Sequence, residues 1–137
     1  MKIKVEYKDF IRQTVYAKKV SSYGYFCFTA FNEATFDQFE KAYFEFLKQD
    51  VKGLIFDMRG NGGGTVDSVC KVLDTLVGKC NIMTTVYADG SKEVNATSDA
   101  QKTELPITVL VDGDTASAAE LFAAAVRDSE KAVLIGH

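Results

Sequence analysis

From Ile11 to Val20, apolar and polar positions alternate loosely by two, with Ile11, Val15 and Ala17 on one side. Tyr23 to Phe28 is a second run of strand character, rich in aromatics. The period then changes. From Thr35 to about Gln49, the residues Phe36, Phe39, Ala42, Tyr43, Phe46 and Leu47 recur at three- and four-residue spacing, which predicts a helix with one apolar stripe. Its aromatics read as core rather than as a binding platform. Gly53 opens a short apolar strand, Leu54 to Asp57. Val66, Val69, Cys70, Leu73, Leu76 and Val77 predict a second helix, with Gly78 where a C′ glycine belongs. Ile82 to Tyr87, the Asp89-Gly90 turn and Glu93 to Ala96 predict a hairpin. Residues 98–104 are polar and loop-like. Pro106 precedes a strand from Ile107 to Val111. Ala116 to about Asp128 is a helix with Leu121, Phe122, Ala125 and Val126 on its inner face, and Ala132 to Ile135 is a last strand.

The second half therefore alternates strand and helix, the signature of an α/β fold with a mainly parallel central sheet and flanking helices. The strands beginning at Leu54, Ile107 and Ala132 are continuous apolar runs, the pattern of a sheet covered on both faces. Right-handed crossovers would set the segments after Asp57 and after Val111 at the carboxyl ends of neighbouring parallel strands. That edge is where α/β folds carry their chemistry. The 137 residues suit a single domain, 1–137, with no repeat or linker.

Composition narrows the chemistry. A net charge of −3 offers no basic footprint for nucleic acid. No apolar run approaches the ~20 residues of a membrane-spanning helix, and the charged amino end is unlike a signal peptide. Cys27, Cys70 and Cys80 form no Cys-x-x-Cys pair, and His137 is the one histidine, so no metal site and no cofactor is expected. An odd number of cysteines excludes a complete disulfide framework; buried free thiols are the expectation.

Two stretches stand out. In Asp114-Thr115-Ala116-Ser117-Ala118-Ala119-Glu120, a serine lies among small residues at the start of a helix. Ser117 and Glu120 also satisfy a plain capping box, so cap and nucleophile compete for one hydroxyl. In Asp57-Met58-Arg59-Gly60-Asn61-Gly62-Gly63-Gly64, a strand runs into a glycine-rich turn. The dinucleotide and Walker patterns both fail there, since Thr65 occupies the third glycine position and no Gly-Lys-Ser/Thr follows. Four glycines in five positions imply exposed backbone N–H groups, which suit an oxyanion or a phosphate. A nucleotide-binding domain thus stays open at this point. Asp57 and Arg59 are expected to pair and brace the loop. Asp128 shares a helix face with Ser117 but lies about 16 Å further along the axis, out of its reach.

Together these residues resemble the C-terminal-processing, or tail-specific, serine protease family. That family's loop reads roughly Asp-Leu-Arg-x-Asn-x-Gly-Gly, matched from Asp57 to Gly64 with Met58 in place of leucine. Its Thr-Ala-Ser-Ala-Ser-Glu motif is matched by Thr115 to Glu120, with Ala119 for the second serine. A later Asp-x-x-x-Ala-x-x-x-Gly is matched by Asp128, Ala132 and Gly136. Tyr23-Gly24-Tyr25 and Val51 to Leu54 are similar to the family's lead-in.

The resemblance implies a ClpP/crotonase-like core and amide hydrolysis through an acyl-enzyme. Ser117 would be the nucleophile. The amides of Ala118 and Gly63 would form the oxyanion hole, with Asp57, Arg59, Asn61 and Gly64 supporting the loop. The family's general base is a lysine, oriented by a glutamine, and both are expected shortly past His137. On that expectation the chain is a catalytic core cut before its base, without a PDZ segment, inactive alone and prone to self-association through an uncovered edge. Substrates would be unfolded protein or peptide C-termini, and the setting extracytoplasmic in bacteria, with or without a membrane anchor. The alternative is a non-catalytic relative that binds peptides or hydrophobic ligands.

Overall fold

The computed structural model describes residues 3, 10–99, 103–129 and 132–137. The charged amino end and part of the polar loop over 98–104 lie outside the described residues. The elements in chain order are β1 (Val15–Val20), β2 (Tyr23–Phe28), α1 (Thr35–Lys48), β3 (Gly53–Asp57), α2 (Val66–Leu76), β4 (Cys80–Val86), β5 (Lys92–Ser98), β6 (Ile107–Leu110), α3 (Ala118–Asp128) and β7 (Ala132–Ile135).

Five strands form the central sheet in the order β1-β2-β3-β6-β7. Only β1 runs antiparallel, paired with β2 from Val15↔Phe28 to Val20↔Tyr23. The pairs β2–β3, β3–β6 and β6–β7 are parallel. The fold is thus α/β with a mainly parallel sheet. The strand order never reverses, so successive right-handed crossovers all return across the same face. The helices accordingly pack side by side, α1 on α2 and α2 on α3.

This corrects the expectation of a sheet covered on both faces. On the helix side lie Phe26, Phe28, Leu54, Phe56, Ile107 and Val109, all buried. Their neighbours along the strands point the other way. Tyr25, Cys27, Ile55, Thr108 and Leu110 are half-buried there, and Val133 is 60% exposed. The apolar runs in β3, β6 and β7 therefore overstate how deeply those strands are enclosed.

The core is built on aromatic rings. Phe26 stacks on Phe56 with centroids 5.0 Å apart, and Phe122 of α3 meets Phe56 at 5.1 Å. Phe39 of α1 closes the cluster against Phe26 at 5.3 Å. Such contacts add to the burial of large apolar area. Phe44 and Leu47, by contrast, stay on the outer side of α1.

Several boundaries differ from expectation, among them the start of α3 at Ala118 rather than Ala116 and β5 reaching from Lys92 to Ser98. β1 starts at Val15, and Ile11 is exposed and not in a strand. α2 ends at Leu76 with Val77 extended, so Gly78 does not serve as a left-handed cap. The extended Val77 instead sends the chain directly into β4, which begins at Cys80 and pairs with β5 in a separate two-stranded sheet. Cys80 is exposed rather than buried, while Cys27 and Cys70 are half-buried; all three are free thiols.

Candidate active site

Loops following β3 and β6 leave the sheet side by side, because those strands are parallel neighbours with Leu54↔Ile107 through Asp57↔Leu110 in register. Hydrogen bonds stitch the two loops together. Thr115 Oγ1 donates to Met58 O at 2.9 Å, and Ala116 N donates to Asn61 O at 3.0 Å. Asp112 Oδ1 accepts from Gly60 N at 3.0 Å and from Asp114 N at 3.1 Å. The Gly60 N–H is the main reason the Asp112 carboxyl is held below its ordinary range.

Ser117 stands where this stitching ends. It is exposed, and its backbone is left-handed, with φ 55° and ψ −119°. A non-glycine residue in such a conformation costs on the order of 1–3 kcal/mol and persists only where its surroundings fix it. A serine on a strained strand-to-helix turn is also how a nucleophile elbow presents its hydroxyl. Ser117 and Glu120 occupy capping-box positions, but the hydrogen bond of standard geometry is the one from Ser117 N to the Glu120 carboxylate, at 2.6 Å. The Ser117 side chain faces the Glu120 N–H as the other half of the capping box, short of a hydrogen bond of standard geometry. Ala118 N–H, the first of α3, meets no acceptor among the described residues. It therefore points free at the positive end of the helix dipole.

The glycine loop packs directly on this turn. A Cβ placed on Gly63 would lie 2.8 Å from Ser117 Cβ and 2.9 Å from Ala118 N, and its φ is +101°. Gly63 is held from both sides. Its carbonyl accepts from Phe31 N at 2.9 Å, and its N–H donates to Asn61 Oδ1 at 2.8 Å. Asn61 is fully buried and anchored by its own Nδ2, which donates to Phe28 O at 2.9 Å. The expected oxyanion donor at Gly63 thus has a side-chain acceptor already on it. Gly62 and Gly64 N–H have none among the described residues.

Beneath the loop, Asp57 accepts two hydrogen bonds from the Arg59 side chain, Nε to Oδ1 at 2.9 Å and Nη2 to Oδ2 at 2.7 Å. Tyr25 OH donates to Asp57 Oδ2 at 2.6 Å. The Arg59 guanidinium holds the Asp57 carboxyl down to about 2, against the opposing effect of burial. Burial first, then the bond to Asp57, pushes the Tyr25 hydroxyl up to about 12.

The structure therefore brings Ser117, Ala118, Gly63, Gly64 and Asn61 together, with Asp57 and Arg59 below them. Asp128 is apart. α3 runs unbroken to it, and its carboxylate accepts from Arg127 Nε at 2.9 Å. Asp112, Thr115 and Tyr25 are the residues whose tying roles the sequence pattern left unassigned. Asp112-Gly113-Asp114 after a buried strand is a turn signature that signals the first; nothing local signals that Tyr25 reaches across to β3.

A sequence model of peptidase family S41 matches residues 22–137. The chain belongs to peptidase family S41. Among curated S41-type relatives, it is 38% identical over 126 residues to the carboxy-terminal processing protease CtpA of Bacillus subtilis, covering 90% of this chain and 27% of that protein. It is 32% identical over 114 residues to the chloroplastic C-terminal processing peptidase of Tetradesmus obliquus, covering 82% of this chain and 25% of the relative. The solved photosystem II D1 C-terminal processing protease superposes with a TM-score of 0.81 at 26% identity, over 93% of this chain and 37% of that one. The chain thus spans about a quarter of the length of the curated relatives it matches. Its central sheet and helices are those of an S41 protease fold.

Proposed function

We propose that the protein is a serine endopeptidase of the C-terminal-processing type, acting on unfolded protein or peptide C-terminal regions. The observation that carries this reading is the strained, exposed Ser117 beside a free Ala118 N–H and against the Gly63 backbone. Ser117 Oγ attacks the scissile carbonyl carbon. Its proton passes to a neutral lysine, which then protonates the leaving amine, and water hydrolyses the resulting ester. That lysine is supplied from outside these 137 residues and must be desolvated to stay neutral. Ala118 N–H and Gly63 N–H hold the oxyanion, Gly63 exchanging Asn61 Oδ1 for it. Asp57, Arg59, Asn61 and Gly64 keep the loop in place. No metal or cofactor takes part.

The bond between Gly63 N–H and Asn61 Oδ1 favours a second reading, a non-catalytic relative that binds peptides at the same place. A serine-reactive probe separates the two. On the full-length protein it is expected to label Ser117, and Ser117→Ala is expected to abolish both labelling and peptide cleavage. Cleavage that survives Ser117→Ala overturns the peptidase reading. The 137-residue chain alone is expected to cleave ~10²–10⁴-fold more slowly than the full-length protein, the usual worth of a general base. Equal rates would place the base inside these residues.

A further inference from the structure

One edge of the central sheet is β1, which pairs with β2 alone among the described residues. Thr14 O accepts from Thr29 N at 2.9 Å. Antiparallel strands alternate, so Tyr16, Lys18 and Val20 turn their N–H and C=O groups to β2, while Val15, Ala17 and Lys19 turn theirs outward. The outward groups of Val15 are taken. Its N–H donates to Gln38 Oε1 at 3.0 Å, and its carbonyl accepts from Gln13 Nε2 at 3.2 Å. The outward backbone groups of Ala17 and Lys19 have no such partners among the described residues. Two glutamines thus close one end of the edge and leave the rest open. The side chains of Ala17 and Lys19 share the helix side with buried Val15. There a cavity of about 350 Å³ lies between β1 and α1, lined by Ala17, Lys19, Lys41, Ala42 and Phe46. Phe46 and Ala42 pack in the core and form its floor. Lys19 and Lys41 are exposed at its rim. Lys19 Nζ reaches only Gln49 O, at 3.5 Å. Lys18 lies on the other face of β1, 5.5 Å from the centre of the Tyr25 ring. None of these three lysines has a carboxylate partner among the described residues, whereas Glu45, the acid that lines the cavity, is held by Lys48 at 2.8 Å.

We propose that this edge docks an extended, acidic segment of a partner protein, added to the sheet as a further strand beside β1. The proposal is independent of the peptidase reading. Main-chain bonds to Ala17 and Lys19 hold such a segment whatever its sequence, and its alternate side chains enter the groove. Glutamates there lay their methylenes on Ala42 and Phe46 and bring their carboxylates to Lys19 and Lys41. Acids at the intervening positions meet Lys18 on the other face. Opposite charges across neighbouring strands stabilise the pairing, and like charges oppose it. A second copy is disfavoured for that reason, because pairing Ala17 with the copy's Lys19 sets Lys18 directly against Lys18. Lysines on an exposed edge deter indiscriminate strand pairing, and the same charge admits an acidic strand.

The probe is a fluorescent peptide of alternating glutamate and threonine. It is mixed with the full-length protein carrying Ser117→Ala, so that it is not cleaved, and binding is read by anisotropy. Binding is expected, weakening as salt screens the exposed charges, and a peptide with lysine for glutamate is expected not to bind. Lys19→Glu with Lys41→Glu is expected to weaken binding about tenfold or more; both positions are exposed, so the fold is kept. Ala17→Pro removes an outward N–H at an edge position that tolerates proline, and is expected to weaken binding without any change of charge. N-methylation of every second probe residue tests the same bonds with no mutation. It is expected to abolish binding in one phase and spare it in the other, since one edge of an added strand faces β1. No binding, equal binding of the lysine peptide, or an equal effect of both methylated phases overturns the proposal. Undiminished binding by the Lys19→Glu, Lys41→Glu protein also overturns it. Binding seen only once residues 1–9 are deleted would assign the edge to the chain's own amino end and overturn it. So would a dimer of the full-length protein that Ala17→Pro dissolves, which assigns the edge to a second copy.

Discussion

Gly64 and Gly62 are two residues apart in one loop, yet their backbones live under different constraints. A Cβ on Gly64 would sit 1.9 Å from Phe31 O, at φ +143°. A Cβ on Gly62 would meet nothing within 4 Å. Gly64 lies in the parallel bridge to Phe31 that pins the loop to the end of β2, where Thr65 N donates to Phe31 O at 2.9 Å. Gly64→Ala must therefore break that bridge and is expected to cost roughly 3 kcal/mol, at the upper end of overpacking effects. Gly62→Ala is expected to stay within about 1 kcal/mol. Urea unfolding of the two variants checks this, and equal midpoints would show that the bridge to Phe31 contributes nothing. Counting glycines in the sequence marks the loop; which glycine is irreplaceable depends on Phe31, more than thirty positions away.

At the scale of elements, α3 carries Ser117 at one end and is anchored to the sheet by Phe122. That ring is fully buried and meets Phe28, Phe31 and Phe56 at 6.2, 6.3 and 5.1 Å. Phe122→Ala is expected to destabilise the fold by about 3–5 kcal/mol, the usual cost of deleting a buried phenylalanine. Because Phe122 lies one turn into the helix, peptide cleavage is expected to fall together with stability. Phe122→Leu should keep most of both. Thermal unfolding and cleavage rates, measured on the same samples, decide. Cleavage at the original rate in Phe122→Ala protein would mean that α3 holds Ser117 without its core contact. The inner face of α3 was legible from spacing, since Phe122 and Val126 are buried as expected. Leu121 and Ala125 pack against the core as well but are only half-buried, at the margin of the inner face.

For the whole molecule, charge sets the pH limits of stability. Asp57 titrates near 2 when folded and ~3.9 when unfolded, so its contribution is present above about pH 4 and is lost as pH falls through 2. Tyr25 titrates near 12 when folded and ~10 when unfolded, so its contribution is present below about pH 10 and is lost as pH rises through 12. Asp57→Asn is expected to flatten the acid limb and part of the alkaline one, read from urea midpoints across pH. An unchanged acid slope would assign that limb to other carboxylates. The open sheet face has a separate consequence. Tyr16, Tyr23, Val133 and Ile135 are each about half-exposed on it. The 137-residue chain is expected to self-associate with rising concentration, and Val133→Thr with Ile135→Thr to weaken this in sedimentation. Monodisperse behaviour at all concentrations would show the face to be harmless.

Periodicity alone determined the helices and the hairpin, because an apolar stripe or an alternating run must find a core wherever the rest of the chain lies. The two motifs likewise announced a serine and an amide-rich loop as local chemistry. Tertiary structure decided what the local pattern could not carry. The unreversed strand order put every helix on one face, so apolar β7 ended half-exposed. Buried Asn61, reaching from Phe28 O to Gly63 N, decided that an expected oxyanion donor is occupied in this arrangement. The strain at Ser117 has the same origin. Nothing in Ala-Ser-Ala forces φ to 55°; the bonds from Thr115 and Ala116 to the neighbouring loop do, and they exist only once β3 and β6 lie side by side.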